Sequence, residues 1–215
     1  MMDAEVFRAW ITSAARVIEA NRDHLTQLDA AIGDADHGIN LARGFTAVLD
    51  ALDAHDRGAA APMTPGKILT VTGRTIISKV GGAAGPLYGM AFRRAGRSLG
   101  DVADVDLPAL SAALDAALAG VQQLGAAVEG DKTMVDALAA GNRAFSKAIA
   151  EGISHDDALC VLAEAASAGA VATIPMQARK GRASYIGPRS VGHEDPGAAS
   201  TALILGALRD AARAR

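Results

Sequence analysis

The chain has 215 residues, half of them apolar, which is enough for one domain with a hydrophobic core. Its formal net charge of −3 offers no basic field to a nucleic acid, and no run of 18 or more apolar residues exists to cross a bilayer. The N-terminal residues are acidic where a secretory signal is basic, and the single cysteine, Cys160, lies in an apolar stretch. We therefore expect a cytoplasmic protein, folded as one domain over residues 1–215, that binds neither nucleic acid nor membrane.

The predicted elements are all helices. Alanine is abundant, aromatic residues make up 3% of the chain, and apolar residues recur at three- and four-residue spacings. In chain order the predicted helices cover residues 4–28 with a break near Asn21, 39–52, 64–80, 85–100, 106 onwards, 131–150, 154 onwards and 196–213. Thr64 and Ser154 are typical N-cap residues, and Ser154 to Asp157 resembles a capping box. The pattern predicts an all-α fold of eight helices, as a bundle or closed barrel.

Four connections between these helices combine glycines with polar or charged residues. They are residues 33–38, 81–86, 125–134 and 180–197, whereas residues 53–65 form a plainer Gly/Ala/Pro loop. The connection at 180–197 is long for a compact domain, which favours a functional role. We expect the function to lie in these four segments.

The first of these connections is rich in aspartate. Asp29, Asp34 and Asp36 lie within eight residues, and Gly33 and Gly38 let the backbone turn sharply. Carboxylates this close repel one another, whereas Mg²⁺ prefers oxygen ligands and often completes its shell with substrate phosphates. The alternative is a solvated turn whose acids cap the next helix, and the residues alone leave both open. An EF-hand is excluded, because its twelfth position would fall on Phe45 instead of glutamate.

The next two connections are each ambiguous by themselves. Glycines at 81, 82 and 85 precede a helix start and suit a phosphate-binding turn, but a tight helix-to-helix turn explains them as well. A P-loop and a Rossmann motif are excluded, because the Lys-Ser/Thr ending and a preceding strand are missing. Around residue 131 a helix begins, and Met134 suits either the core or the wall of an adenine pocket.

The last connection is basic. Arg182 has the planar guanidinium that clamps phosphates with two hydrogen bonds, and Arg179, Lys180 and Arg189 lie near it. A solvated surface loop is the alternative. His193 suits either acid–base chemistry or a supporting hydrogen bond.

Taken together and in this order, the four connections resemble the nucleotide-binding L subunit of dihydroxyacetone kinases, over nearly the whole chain. The motifs are Gly-Asp-Ala-Asp-His-Gly at 33–38, Gly-Gly-Ala-Ala-Gly-Pro at 81–86, Gly-Asp-Lys-Thr-Met at 130–134, Gly-Arg-Ala-Ser-Tyr at 181–185 and Gly-His-Glu-Asp-Pro-Gly at 192–197. The resemblance implies an eight-helix barrel with a nucleotide pocket at one end. It also implies two Mg²⁺ ions, held by the aspartates at positions 29, 34 and 36.

The resemblance further implies which residues meet the nucleotide. They are His37, Gly38, Asn40, Ala83 and Ala84 at the phosphates, Gly125, Thr133 and Met134 at the adenine, and Arg182 and Asp195 in the loop that closes over it. Relatives often have serine in place of Ala84, so here backbone N–H groups must bind that phosphate without a hydroxyl. Arg182 would act in catalysis by neutralising charge as the γ-phosphoryl group moves.

The implied function is that of an ADP/ATP- and magnesium-binding kinase subunit. It would transfer a phosphoryl group from bound nucleotide to dihydroxyacetone held on a separate ketone-binding subunit. In the sugar-phosphotransferase version a phosphocarrier subunit rephosphorylates the bound ADP, whereas in ATP-dependent relatives the nucleotide exchanges with solvent. Two alternatives are a subunit of a kinase for another small ketose such as erythrulose, and a non-catalytic nucleotide-binding module that contacts a transcription regulator.

Overall fold

The computed structural model describes residues 1–58 and 62–214, which contain nine α-helices, one 3-10 helix and no strand. The α-helices are α1 (Ala4–Ala20), α2 (Arg22–Ile32), α3 (His37–Gly58), α4 (Pro65–Lys79), α5 (Ala84–Leu99), α6 (Leu107–Gly125), α7 (Met134–Ala150), α8 (His155–Val171) and α9 (Pro196–Arg213). The 3-10 helix, Arg182–Ser190, lies inside the connection predicted as a loop. The all-α prediction is confirmed. Among the described helices, none has the length and apolarity needed to span a membrane.

The first predicted helix is in fact two helices. The break near Asn21 is confirmed: Asn21 ends α1, and its side-chain amide donates to the Val17 carbonyl at 2.8 Å. The second of the two helices continues to Ile32, so Asp29 belongs to α2 and not to the turn. The prediction ended at Leu28 because the aspartate-rich turn was taken to begin at Asp29, although Ile32 continues the apolar spacing.

Two other predicted boundaries were wrong. Helix α3 extends to Gly58 instead of ending near Leu52, because polar residues on an exposed last turn carry no apolar signal; residues 59–61 lie outside the described part. Helix α7 begins at Met134 instead of residue 131, and its N-cap is Thr133, which forms a capping box with Asp136. At Ser154 the predicted N-cap is confirmed, since its hydroxyl accepts from the Asp157 N–H.

Eight of the helices form a closed ring. Helices α1 and α3 to α9 each pack against the next, and α9 packs back against α1, while α2 lies outside on α3, α9 and the 3-10 helix. The predicted eight-helix barrel is thus confirmed. Short connections make neighbouring helices antiparallel, so every second connection falls at the same end. This places the N-termini of α3, α5, α7 and α9, and all four predicted functional connections, at one end of the barrel.

Aromatic side chains fill the centre of the barrel. The ring of Trp10 packs 5.8 Å from that of Phe7 and 6.0 Å from that of Phe92, which in turn meets Phe45 at 6.3 Å. All four are buried, and the indole N–H donates to the Ile204 carbonyl at 2.9 Å. This packing joins α1, α3, α5 and α9 into one core.

Helices α4 and α5 approach each other closely through reciprocal glycine pairs. A Cβ on Gly73 would lie 2.6 Å from the Gly89 carbonyl oxygen, and one on Gly89 would lie 2.8 Å from that of Gly73. About two helical turns away, a Cβ on Gly66 would lie 2.7 Å from the Gly96 carbonyl oxygen, and one on Gly96 would lie 2.5 Å from that of Gly66. No side chain fits between α4 and α5 at these positions, so their backbones are in direct contact. The short connection that contains Gly81 therefore joins two closely packed helices.

Replacing Gly73 with alanine should therefore destabilise the barrel. The new methyl group would meet the Gly89 carbonyl at 2.6 Å and the Arg93 nitrogen at 2.8 Å, so the helices must separate. We expect the free energy of unfolding to fall by about 1–3 kcal/mol in urea denaturation. The matched control is Gly206→Ala in α9, where a Cβ would meet no atom of the described residues within 4 Å apart from its chain neighbours and its own helix backbone. Helix propensity there favours alanine by about 0.5–1 kcal/mol. Equal stabilisation by both substitutions would contradict the close approach.

Candidate functional site: an aspartate cluster beneath converging helix N-termini

The three predicted metal ligands lie together in space. Asp29, Asp34 and Asp36, which we call the aspartate cluster, each present one carboxylate oxygen, and these oxygens lie within 4.8 Å of one another. Asp29 is buried, Asp36 half-buried and Asp34 exposed. Three carboxylates at this spacing suit a hard divalent cation that keeps some coordination positions for water or phosphate.

Backbone contacts build the aspartate cluster. The Asp29 carboxylate reaches back from the end of α2 and accepts from the N–H groups of Asp36, at 2.9 Å, and His37, at 3.1 Å. A Cβ on Gly33 would lie 1.9 Å from an oxygen of Asp29, so a side chain there would displace the carboxylate. Ala35 takes the left-handed conformation, with φ 61°, which turns the chain between Asp34 and Asp36.

The capping interpretation of the aspartate turn applies to one of the three carboxylates, whereas metal binding by the cluster stays a prediction. Asp29 caps α3 through its Oδ2 atom, which is the role that the capping interpretation predicts. The carboxylate of Asp34 instead pairs with Arg182, whose Nε lies 3.0 Å away. An exposed pair of this kind contributes little to stability, so the two groups are free to change partners.

A cavity of about 130 Å³ opens above the aspartate cluster. Besides the cluster, its walls contain His37, Asn40, Gly81, Gly82, Ala83, Ala84, Lys180, Arg182, Ala183 and Pro196. This volume is below the roughly 300 Å³ of a pocket for a whole drug-sized ligand. It suits phosphate groups and metal ions instead of an entire nucleotide.

Three helix N-termini face this cavity. Helix α3 begins at His37, α5 at Ala84 and α9 at Pro196, and all three residues line the walls. The N-cap of α5, Ala83, makes no side-chain capping hydrogen bond, so the first N–H groups of that helix can receive an anion. The cavity thus combines carboxylates for a cation with helix ends for an anion, which is what a metal-bound phosphate requires.

His37 and Asn40 face the cavity with their side chains already held. The His37 Nε2 atom lies 2.8 Å from the Ser200 hydroxyl, and the Asn40 side-chain oxygen, Oδ1, accepts from the Arg43 guanidinium at 2.8 Å. Burial lowers the pKa of His37, although the negative charges of Asp29 and Asp36 act in the opposite direction. A neutral, oriented imidazole suits hydrogen bonding better than charge neutralisation.

Gly38 and Asp195, predicted at the nucleotide, adjoin His37 and Pro196 in the cavity walls without lining the cavity themselves, and their contact with a nucleotide stays a prediction. A Cβ on Gly38 would lie 2.0 Å from the Arg22 carbonyl, so this residue lets α2 pack on α3 and does not line the cavity. Asp195 is the buried N-cap of α9, accepting from the Ala198 N–H at 2.7 Å. The capping role was available in the sequence, because Asp195 directly precedes Pro196, where the last helix was predicted to begin.

The predicted adenine residues lie beside the cavity and not in its walls. Gly125 ends α6 against Leu87 in the first turn of α5, and Met134 is buried next to Gly197 in α9. The Thr133 hydroxyl is used as the N-cap of α7. These residues are at the same end of the barrel as the aspartate cluster, and their contact with a base stays a prediction.

Burial raises the pKa of Asp195 to about 7, with Asp136 acting in the same direction and the Ala198 N–H and Lys132 opposing. Between pH 3.8 and about 7 the folded chain then keeps a proton that the unfolded chain has released, so this group's stabilising contribution decreases as pH rises. In Asp195→Asn the amide oxygen can still cap α9 but cannot ionise. We expect its free energy of unfolding to fall less steeply over this pH range than that of the wild type. Urea denaturation at several pH values checks this, and parallel curves for the two proteins would contradict it.

One hydroxyl that the sequence analysis missed joins two of the cavity-facing helices. The buried Tyr88 hydroxyl of α5 lies 2.7 Å from the Ser200 and 2.8 Å from the Thr201 oxygens of α9, and donates to the Gly197 carbonyl at 2.9 Å. Burial raises its pKa well above the ordinary value. Two adjacent hydroxyl residues in the apolar first half of α9 were the available signal.

Comparisons with known proteins agree with this geometry. The DAK2 domain family matches residues 31–210. The chain is 40% identical over 204 residues to the ADP-binding subunit DhaL of the PEP-dependent dihydroxyacetone kinase of Escherichia coli (strain K12), covering 95% of both chains. It is 36% identical over 208 residues to the ADP-binding subunit DhaL of the PTS-dependent dihydroxyacetone kinase of Lactococcus lactis, covering 97% of both.

A solved structure extends the likeness to the fold. The crystal structure of the dihydroxyacetone kinase from C. freundii in complex with AMP-PNP and Mg²⁺ matches with a TM-score of 0.72 and 25% identity. The match covers 98% of this chain but 34% of that kinase, so the present chain spans about a third of its length. The family match and the full-length relatives confirm the resemblance drawn from the four connections, and the chain belongs to the DAK2 domain family.

Proposed function

We propose that the chain is the ADP/ATP- and magnesium-binding subunit of a dihydroxyacetone kinase. It transfers a phosphoryl group from bound nucleotide to dihydroxyacetone held on a separate ketone-binding subunit. The observation that carries this proposal is the aspartate cluster, with oxygens within 4.8 Å, in a cavity faced by three helix N-termini. The relatives' names, which describe ADP-binding subunits of such kinases, support it.

The donor set fits magnesium. Asp29, Asp34 and Asp36 supply hard oxygen ligands, and we propose that they hold two Mg²⁺ ions together with the phosphates. Bound Mg²⁺ supplies positive charge to the phosphate oxygens during transfer. Because the chain itself carries a net charge of −3, such cations are needed to hold a polyanion.

The protein's own groups orient the nucleotide around the aspartate cluster. The first N–H groups of α5, at Ala83 and Ala84, bind phosphate oxygens, and His37 and Asn40 hold the other side. Arg182 leaves Asp34 for the γ-phosphoryl group and stabilises its charge in the transition state, which makes it the catalytic residue. The base lies outside the small cavity, towards Gly125, Thr133 and Met134.

The acceptor and its binding site belong to another subunit in this proposal. The DhaL relatives are matched over 95% and 97% of their length and are named as subunits, which supports a separate partner that presents the ketone. A phosphocarrier subunit that rephosphorylates bound ADP fits the PEP- and PTS-dependent names of these relatives. We further propose that residues 1–215 act as one L-type domain in the cytoplasm, with no direct contact to nucleic acid.

A reconstitution assay tests this function. The chain is mixed with candidate ketone-binding subunits and dihydroxyacetone, with either ATP or phosphoenolpyruvate plus phosphocarrier proteins as donor. Phosphorylated ketone with one donor and not the other identifies the route, and erythrulose in place of dihydroxyacetone tests the alternative acceptor. Absence of any phosphorylated ketone, with Mg²⁺–ADP binding intact, would favour a non-catalytic regulatory module, whose contact with a transcription regulator can then be assayed.

A further inference from the structure

The connection between α8 and α9, residues 172–195, which we call the arginine loop, returns close to where it leaves the barrel. The Gly192 N–H donates to the Ile174 carbonyl at 2.8 Å, and the Asp195 N–H donates to the Thr173 hydroxyl at 2.9 Å. Between these contacts, which form the neck of the loop, the chain carries Lys180 and Arg182 into the wall of the cavity. The position of Arg182 therefore depends on how firmly the neck is held.

A buried lysine from another part of the chain occupies this neck. The Lys132 ammonium donates to the Thr173 carbonyl at 2.7 Å and also to the His193 carbonyl, so one group holds both sides of the neck. The residue is 1% exposed. A neighbouring backbone bond, from the Arg179 N–H to the Asp131 carbonyl at 3.0 Å, attaches the loop to the same turn.

This lysine has unfavourable features that a purely structural residue would not need. It has a left-handed backbone, with φ 61°, and its ammonium is removed from water, which lowers its pKa although Asp195 and Asp136 oppose that effect. Burying a charge is costly, and an apolar side chain of similar volume often serves stability equally well. What the ammonium provides beyond packing is two strong, directed hydrogen bonds across the neck.

We propose that Lys132 is a positioning residue that locks the neck of the arginine loop and thereby holds Arg182 at the phosphate cavity. It touches neither the cavity nor the aspartate cluster. Because it directly precedes Thr133 and Met134, it also joins the turn predicted at the adenine to the loop that carries the phosphate clamp. The effect on nucleotide binding rests on the proposed function, whereas the lock on the loop does not.

Limited trypsin digestion tests the lock in the absence of any nucleotide. The arginine loop contains the trypsin sites Arg179, Lys180, Arg182 and Arg189. In Lys132→Met, which keeps the side-chain length without donors, cleavage at these sites should accelerate at least about 10-fold, because the loop opens more often. The matched control, Lys147→Met on the exposed face of α7, should leave loop cleavage unchanged. Unchanged loop cleavage in Lys132→Met would overturn the proposal.

Should Lys132→Met fail to fold, Lys132→Gln makes the same comparison with a shorter, uncharged donor. Its loop cleavage should also exceed that of the wild type, and wild-type cleavage would count against the lock. Cleavage after Arg143 in α7 serves as the internal reference for global unfolding. A rise at Arg143 equal to the rise in the loop would show general destabilisation and would likewise overturn the proposal.

A double-mutant cycle tests whether the lock acts through Arg182. Calorimetry gives the Mg²⁺–ADP affinity of Lys132→Met, Arg182→Ala and the double variant. If each single substitution weakens binding about 10-fold, the double should weaken it about 10-fold and not 100-fold, since Lys132 has nothing to position once Arg182 is gone. Independent, multiplying effects would overturn the positioning role. Faster loop cleavage with no change of Mg²⁺–ADP affinity in any variant would leave the lock standing and contradict the proposed contact between Arg182 and the nucleotide.

Discussion

Replacing Asp34 with alanine is expected to abolish magnesium-dependent nucleotide binding while leaving the barrel folded. The substitution removes one of three oxygens that lie within 4.8 Å of one another, and the two remaining carboxylates cannot hold the same cations. We expect the Mg²⁺–ADP affinity to fall by at least about 100-fold. Little stability should be lost, because Asp34 is exposed and its side chain pairs with Arg182 at the surface.

Titration calorimetry with ADP, in Mg²⁺ and again in EDTA, measures this effect, and thermal unfolding followed by circular dichroism checks the fold. The matched control is Asp50→Ala, which removes an exposed carboxylate from the same region of sequence, in α3, far from the cavity. Its affinity should equal that of the wild type. Normal Mg²⁺–ADP binding by the Asp34→Ala protein would refute the metal role of the aspartate cluster. Equal wild-type affinity in Mg²⁺ and in EDTA would refute the magnesium requirement itself.

Replacing Arg182 with alanine should have its largest effect on the rate of phosphoryl transfer. The guanidinium lies 3.0 Å from Asp34, so it would reach a phosphate bound at the aspartate cluster. A positioned arginine of this kind is worth roughly 10³-fold or more in rate, and we expect kcat to fall by about that factor. The loss of nucleotide affinity should be smaller, about 10-fold, because Mg²⁺ and the helix N-termini still bind the phosphates.

The reconstituted kinase assay, with saturating Mg²⁺ and nucleotide, separates the two effects. Arg182→Lys keeps the charge but not the two-pronged geometry and should fall between the wild type and the alanine variant. Arg189→Ala is the control, since Arg189 is exposed in the same 3-10 helix and does not line the cavity. A kcat within twofold of wild type for Arg182→Ala would remove Arg182 from the catalytic machinery.

Local sequence patterns accounted for most of the fold, because helices are specified by nearby residues. Apolar spacing and the caps at Thr64 and Ser154 located the helices, and the break at Asn21 was visible as well. The predicted ends failed where local signals are absent or misleading. The last turns of α3 are exposed and polar, and α7 was predicted to begin around residue 131, whereas its N-cap is Thr133.

The site was predictable only in part. Chemistry alone left Asp34 and Asp36 between metal ligands and capping acids, and the ordered set of four motifs decided the prediction through the family resemblance. Neither the chemistry of the residues nor the family resemblance predicted the contacts between distant segments of the chain. The Asp195 N–H donates to Thr173, 22 residues away, and the role of Lys132 depends on carbonyls 41 and 61 residues away.

The glycine pairs between α4 and α5 also bear on how a nucleotide would enter and leave. The turn at Gly81 is attached to two helices whose backbones touch at Gly73 and Gly89, so this side of the cavity cannot yield without breaking the barrel. On the opposite side, the arginine loop is fastened by a few hydrogen bonds at its neck. Exchange of the nucleotide with solvent would therefore require the arginine loop to move, while the turn at Gly81 stays in place. A subunit that rephosphorylates ADP in place can keep the arginine loop shut, whereas one that takes ATP from solution must open it in every cycle.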